Sequence, residues 1–209
     1  MRPEPLRPSR PAPLGPRAPR LRRAAWAGLC LLTAGCAAGP RTTSRINRVQ
    51  ARSGEVWARD LGNALGLQPW ELCAELGTRD CVEEAHRVTL GGVEPAELGI
   101  DAPLPEPSVS APMAADRVAI SACGERFARD KAGPALLFGP VLERDSRRRR
   151  AEVSEALVLR VLGRPAQPAE LDALEALYDD IKDKVDDPVR SWAVGACVVV
   201  TTSTEALFY

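Results

Sequence analysis

From residue 44 onward, apolar positions recur every three or four residues, the period that puts one face of an α-helix against a core. Ile46, Val49, Val56, Trp57, Leu61 and Leu65 predict a helix over 44–65, capped by Ser44, irregular at Ser53-Gly54 and stopped by Gly66. Pro69 sits at a first-turn position for a second helix over 69–76, which Gly77 ends. Thr78 and Asp80 open a third through Cys81, Val82, Ala85 and Val88. Residues 91–112 break the pattern with Gly91-Gly92, Gly99 and five prolines, and predict a long irregular loop. Helical spacing returns at Ala115, Val118, Ala119, Ala122, Cys123 and Phe127, breaks again over 134–140, and resumes from 147 with Val153, Leu157, Leu159 and Val161 as far as Gly163. Pro168 starts an amphipathic helix with Leu171, Leu174, Leu177, Tyr178 and Ile181. Asp187-Pro188 starts another with Val189, Trp192, Ala193, Ala196, Cys197 and Val200. The β-branched run 198–202 is able to fray into extended chain, and Ser203 caps a short last turn. No hairpin signal or alternation over several strands occurs. The expectation is an all-α fold of about six helices, disulfide-stapled, forming a single domain over 44–209. Trp192, Leu174 and Leu177 pack between its last two long helices.

The first 35 residues differ. Residues 1–23 hold seven Arg, seven Pro and one acid, a composition that cannot build a core. An apolar run over 24–32 follows, far too short for a permanent membrane span. It has the length and basic flank of a signal-peptide h-region. The basic stretch is longer than most such flanks: either it is a long n-region, or the true start codon lies downstream. Next stands Leu32-Thr33-Ala34-Gly35-Cys36, which resembles a bacterial lipobox. The resemblance implies a signal peptide over 1–35, lipidation of Cys36 with palmitate among its acyl chains, and a tether over 36–43. An ordinary cleaved signal is the alternative. Ala37, rather than Asp, follows the cysteine, so a cell with two membranes would sort the chain to the outer one. The expected location is the cell envelope, with the membrane as partner through Cys36.

Removing that segment changes the charge. Seven of the 28 Lys and Arg and one of the 28 acids lie in residues 1–23, which leaves the mature chain near −6 instead of neutral. An acidic surface argues against a nucleic-acid partner, since affinity for phosphates comes from basic side chains. Four cysteines follow Cys36: Cys73, Cys81, Cys123 and Cys197. In an oxidising compartment they allow three connectivities. The favoured one is Cys73–Cys81, stapling a helix–turn–helix, with Cys123–Cys197 tying the middle of the chain to its end. Four buried free thiols are the alternative. No CxxC is present, and the Cys73–Cys81 spacing suits no zinc knuckle or ribbon, so no metal site is expected.

Candidate chemistry is sparse. The one histidine, His86, has Glu83 three residues earlier, a spacing that would let the carboxylate orient a general base. A half-buried structural histidine is the plainer reading. One histidine cannot supply HExxH, and GxSxG, the P-loop, CxxCH and GxGxxG in context are absent. The acids at 179, 180, 183, 186 and 187 lack the loop glycine of a calcium site and read as solvated surface. The arginines at 147–150 read as a solvated helix start or, alternatively, as a seat for an anionic partner or lipid headgroup. No catalytic residue and no cofactor is expected.

The C-terminal segment, about residues 158–209, resembles the end of large secreted bacterial proteins of unknown function associated with c-type haem modules. The resemblance rests on Gly163-Arg164-Pro165, the Trp192 helix and the close Ser203-Thr-Glu-Ala-Leu-Phe-Tyr209, with Ala206 where that family usually has Phe. It implies Trp192 and Tyr209 as core anchors and raises the prospect of work beside a redox assembly, while assigning no reaction. Three functions are thus open: a membrane-tethered, non-catalytic interaction or accessory subunit; an accessory factor of an exported haem-containing oxidoreductase; and a hydrolase with an unfamiliar site near His86.

Overall fold

A computed structural model describes residues 50–102 and 108–208, and these are mostly helical with two disulfides. Among the described residues five long helices carry the fold: α1 (Gly54–Leu65), α4 (Ala111–Ala132), α6 (Arg147–Leu162), α7 (Pro168–Ile181) and α8 (Pro188–Thr201). Short helical turns join or follow them: α2 (Pro69–Leu72), α3 (Pro95–Leu98), α5 (Gly139–Glu143) and α9 (Thr204–Leu207). A two-stranded hairpin, β1 (Ala74–Glu75) and β2 (Arg79–Asp80), and a π-helical turn, Cys81–Ala85, complete the chain order.

The core is built around α4 and α8, which pack along one another. Ala119, Ala122, Ala193 and Ala196 are fully buried, and such small side chains let two backbones approach closely. Cys123 and Cys197 join these helices at a Cα separation of 5.9 Å. Helix α7 covers α8: Trp192 is wholly buried and donates its indole N–H to the carbonyl of Leu174 at 2.8 Å. Leu174 is buried and Leu177 half-buried against the same cluster, in agreement with the spacing. Helix α6 buries Val153, Leu157 and Val158, while Leu159, expected inside, is exposed: it stands away from the buried stripe. The β-branched end of α8 stays helical to Thr201, whose hydroxyl donates to the carbonyl of Cys197 and is itself buried.

Five local expectations are corrected. The expected first helix does not run unbroken through 50–53: helix α1 starts at Gly54, capped by Ser53. Just before it the Arg52 N–H bonds to the carbonyl of Leu207 and Ala51 bridges Phe208, so tertiary pairing holds this segment extended. Gly54 itself donates to the carbonyl of Leu90, and a Cβ there would stand 2.4 Å from that of Leu90; only glycine fits the contact. The helix expected over 69–76 stops at Leu72, because Cys73 turns to extended backbone (φ −165°) to reach Cys81. The Cys73–Cys81 bridge therefore staples a hairpin, and not a helix–turn–helix. The third expected helix is a single π-turn, anchored where Asp80 accepts the amides of Val82 and Glu83 at 2.7 Å each. Within 91–112 the chain is not uniformly irregular: α3 and a Glu94–Ile100 bridge interrupt it, and α4 begins at Ala111.

Candidate functional site

The residues singled out for chemistry converge on the hairpin. His86 follows the π-turn, an irregularity often found at functional positions. Its Nε2 lies 3.2 Å from the Glu75 carboxylate on β1. Glu83, the expected partner, points elsewhere and pairs with Arg87 at 3.5 Å. The i−3 spacing assumed an α-helix, and the π-turn removes that register. Arg117 of α4 closes the cluster, donating to Glu75 at 2.7 Å. Arg117, followed by His86, holds the Glu75 carboxyl below the usual range against the opposing effect of burial. The cluster is a carboxylate clamped between two basic side chains. Glu75 ties the hairpin to α4 and to the end of the π-turn at His86.

The two disulfides match the favoured connectivity, Cys73–Cys81 and Cys123–Cys197. Cys36 lies outside the described residues, as do Tyr209 and the helix start expected at Ser44. The arginines at 147–150 all face carboxylates: Arg147 pairs with Asp172, Arg148 and Arg149 with Glu152, and Arg150 with Asp145 and Glu175. Arg150 corrects the picture of a solvated run. Its side chain is 8% exposed, bonds Glu175 through Nε and Nη2 at 3.0 and 2.7 Å, and lies 3.6 Å over the Tyr178 ring. Tyr178 in turn donates to Asp145, which pushes its phenol pKa up. Helical periodicity carried no sign of this, because an arginine at a polar position reads as surface. Removing one partner of a buried pair strands the other, so Arg150→Ala should cost about 3 kcal/mol, while Arg148→Ala should stay within about 0.5 kcal/mol. Chemical denaturation of both variants checks this; equal midpoints would contradict the burial of Arg150.

A second ionic knot fixes the chain end. Arg164, at the α6–α7 elbow, pairs with Glu170 at 2.7 Å and with Glu205 of α9 at 2.6 Å. Arg164 and the Gln167 amide together hold the Glu170 carboxyl down to about 2. A carboxylate whose folded pKa is depressed stabilises the fold above its unfolded pKa and loses that contribution as pH falls through the folded value. Stability should accordingly decline between about pH 4.5 and 2. In a pH series of thermal melts, Glu170→Gln should show a shallower decline than the wild type.

Between the ends of α1 and α6 lies an open groove of about 420 Å³, lined by Asp60, Asn63, Arg160 and Leu162 among others. Arg160 there donates to the carbonyl of Ala64, closing the C-terminus of α1. No protein family matches this sequence, and neither the curated proteins nor the solved structures contain a match. Function must rest on the chain's own residues.

Proposed function

We propose that the chain is an exported lipoprotein, acylated at Cys36, whose helical domain serves the cell envelope as a non-catalytic interaction or accessory subunit. The observation that carries this reading is the order of segments at the N-terminus: basic flank, short apolar run, then Leu32-Thr-Ala-Gly-Cys36. The two disulfides support it, since such bonds persist in oxidising compartments. So does the use of His86 and Glu75 as a structural clamp, which leaves the hydrolase reading without the Glu83 partner it assumed. Labelled palmitate fed to producing cells should enter the protein, and Cys36→Ala should abolish the label and release the chain from membranes. Wild-type protein recovered without label in a soluble fraction would overturn the proposal.

The C-terminal resemblance supports a second reading, an accessory factor of an exported haem-containing oxidoreductase. Trp192 and the Gly163 left-handed cap hold the packing and helix-breaking positions that the resemblance implies. Cytochrome genes beside this gene in several genomes would favour it, and their consistent absence would remove its support.

A further inference from the structure

The hairpin tip is unusual in three respects at once. Leu76 is 93% exposed, so no packing rewards its side chain. It nevertheless holds φ +53°, a left-handed conformation that costs a leucine energy and that glycine or asparagine would adopt more readily. The tip is also held rigid from both sides, by the Cys73–Cys81 bridge and by the attachment of Glu75 to Arg117 and His86. A strained, apolar, exposed and braced residue is the kind of outlier from which a recognition role can be argued. The apolar surface continues beyond it. Arg117 brings the tip beside the outward face of α4, where Met113 and Ile120 lie about one turn to either side of Arg117 and are 75% and 56% exposed. Val109, just ahead of α4, is fully open.

We propose that this face, led by Leu76, docks on the phospholipid surface that would hold the acylated Cys36; the inference rests on the lipoprotein reading above. Cys36 stands 14 residues before Gln50. A chain of that length spans at most about 50 Å, close to the width of a domain this size, so a tethered domain meets a bilayer continually and an apolar tip is presented to it at high effective concentration. The chemistry of the face fits a lipid surface: protruding aliphatic side chains enter the acyl boundary. Arg79 and Arg117, paired with Glu84 and Glu75, remain 62% and 60% exposed, which leaves part of each guanidinium open to headgroup phosphates. Rigidity lowers the ordering cost of insertion.

The test uses the acylated full chain, purified in detergent and reconstituted into vesicles of phosphatidylethanolamine and phosphatidylglycerol, with and without bromine on the acyl chains. Trp70→Phe removes the exposed tryptophan, which leaves Trp57 and Trp192 buried within the described domain. Adding Leu76→Trp places a reporter at the tip, whose emission should be blue-shifted and mostly quenched by brominated lipid. In parallel, amide exchange at residues 75–79 should slow several-fold in plain vesicles relative to detergent. Leu76→Gly, which relieves the backbone strain, should abolish that protection with no loss of melting temperature. A palmitate-labelled protein whose tip reporter is neither shifted nor quenched, and whose residues 75–79 exchange as in detergent, overturns lipid docking and leaves the lipoprotein reading standing. A reporter shielded from acrylamide in native membranes yet unquenched by lipid also overturns it, in favour of a protein socket. Absence of label defeats both readings together.

Discussion

Trp192→Ala should be among the most damaging single changes in this chain, costing about 4 kcal/mol or somewhat more. Large-to-small changes at a buried Trp typically cost about 3–5 kcal/mol, and this side chain is wholly buried and also loses its hydrogen bond to Leu174. For a domain of this size each kcal/mol is worth roughly 2–4 °C, so the melting temperature should fall by roughly 10 °C. Trp192→Phe keeps most of the apolar contact and loses the indole donor, so it should cost about 1–2 kcal/mol. A thermal melt of the three proteins decides the matter. If Trp192→Ala melted with the wild type, the packing of α7 on α8 would be refuted.

Removing the Cys123–Cys197 bridge should cost about 4 kcal/mol, against about 2.5 kcal/mol for Cys73–Cys81. In the chain-entropy account a crosslink restricts the unfolded chain more as its loop lengthens, and the two loops span 74 and 8 residues. All four cysteines are buried, Cys81, Cys123 and Cys197 at 0% and Cys73 at 7% exposure, so truncation leaves a void at either bridge and the expected difference comes from loop length. Comparing the Cys123→Ala/Cys197→Ala double variant with its Cys73→Ala/Cys81→Ala counterpart in urea keeps odd thiols out of the measurement. A larger loss from the hairpin pair would mean that local geometry, and not loop closure, governs both bridges. With both bridges formed, the four cysteines of the denatured, unreduced domain should give no thiol signal.

The elements behind these two expected losses differ from the rest of the fold in how plainly the sequence announces them. Helices α6, α7 and α8 have start and stop signals within the chain itself: Ser146, Pro168 and Pro188 open them, and Gly163 closes α6 in the left-handed conformation. Their apolar spacing, including Trp192, follows from helical geometry alone. The cysteine pairing was legible for a similar reason, since one pair is local and the other joins two positions that each lie on a core-facing stripe.

Where local preference and tertiary contact disagreed, the contact won. Residues 50–53 are extended because they bond to residues near the C-terminus, and the next residue, Gly54, is fixed by Leu90. The segment 69–88 carries helical spacing, yet beyond Leu72 a bridge across eight residues and the pull of Arg117 on Glu75 make it a hairpin and a π-turn. His86 was visible as a residue, and its partner was not, because Glu75 lies eleven positions away and meets it only when the hairpin closes. Arg150 looked like one of four surface charges until Glu175, twenty-five residues on, and the Tyr178 ring enclosed it. Periodicity, caps and spacing along the chain were enough for the helical class, the long helices and the pairing of the cysteines. The strained Leu76 tip, the Glu75 clamp and the burial of Arg150 came from the folded arrangement alone, because each depends on charges and bonds that reach across the fold.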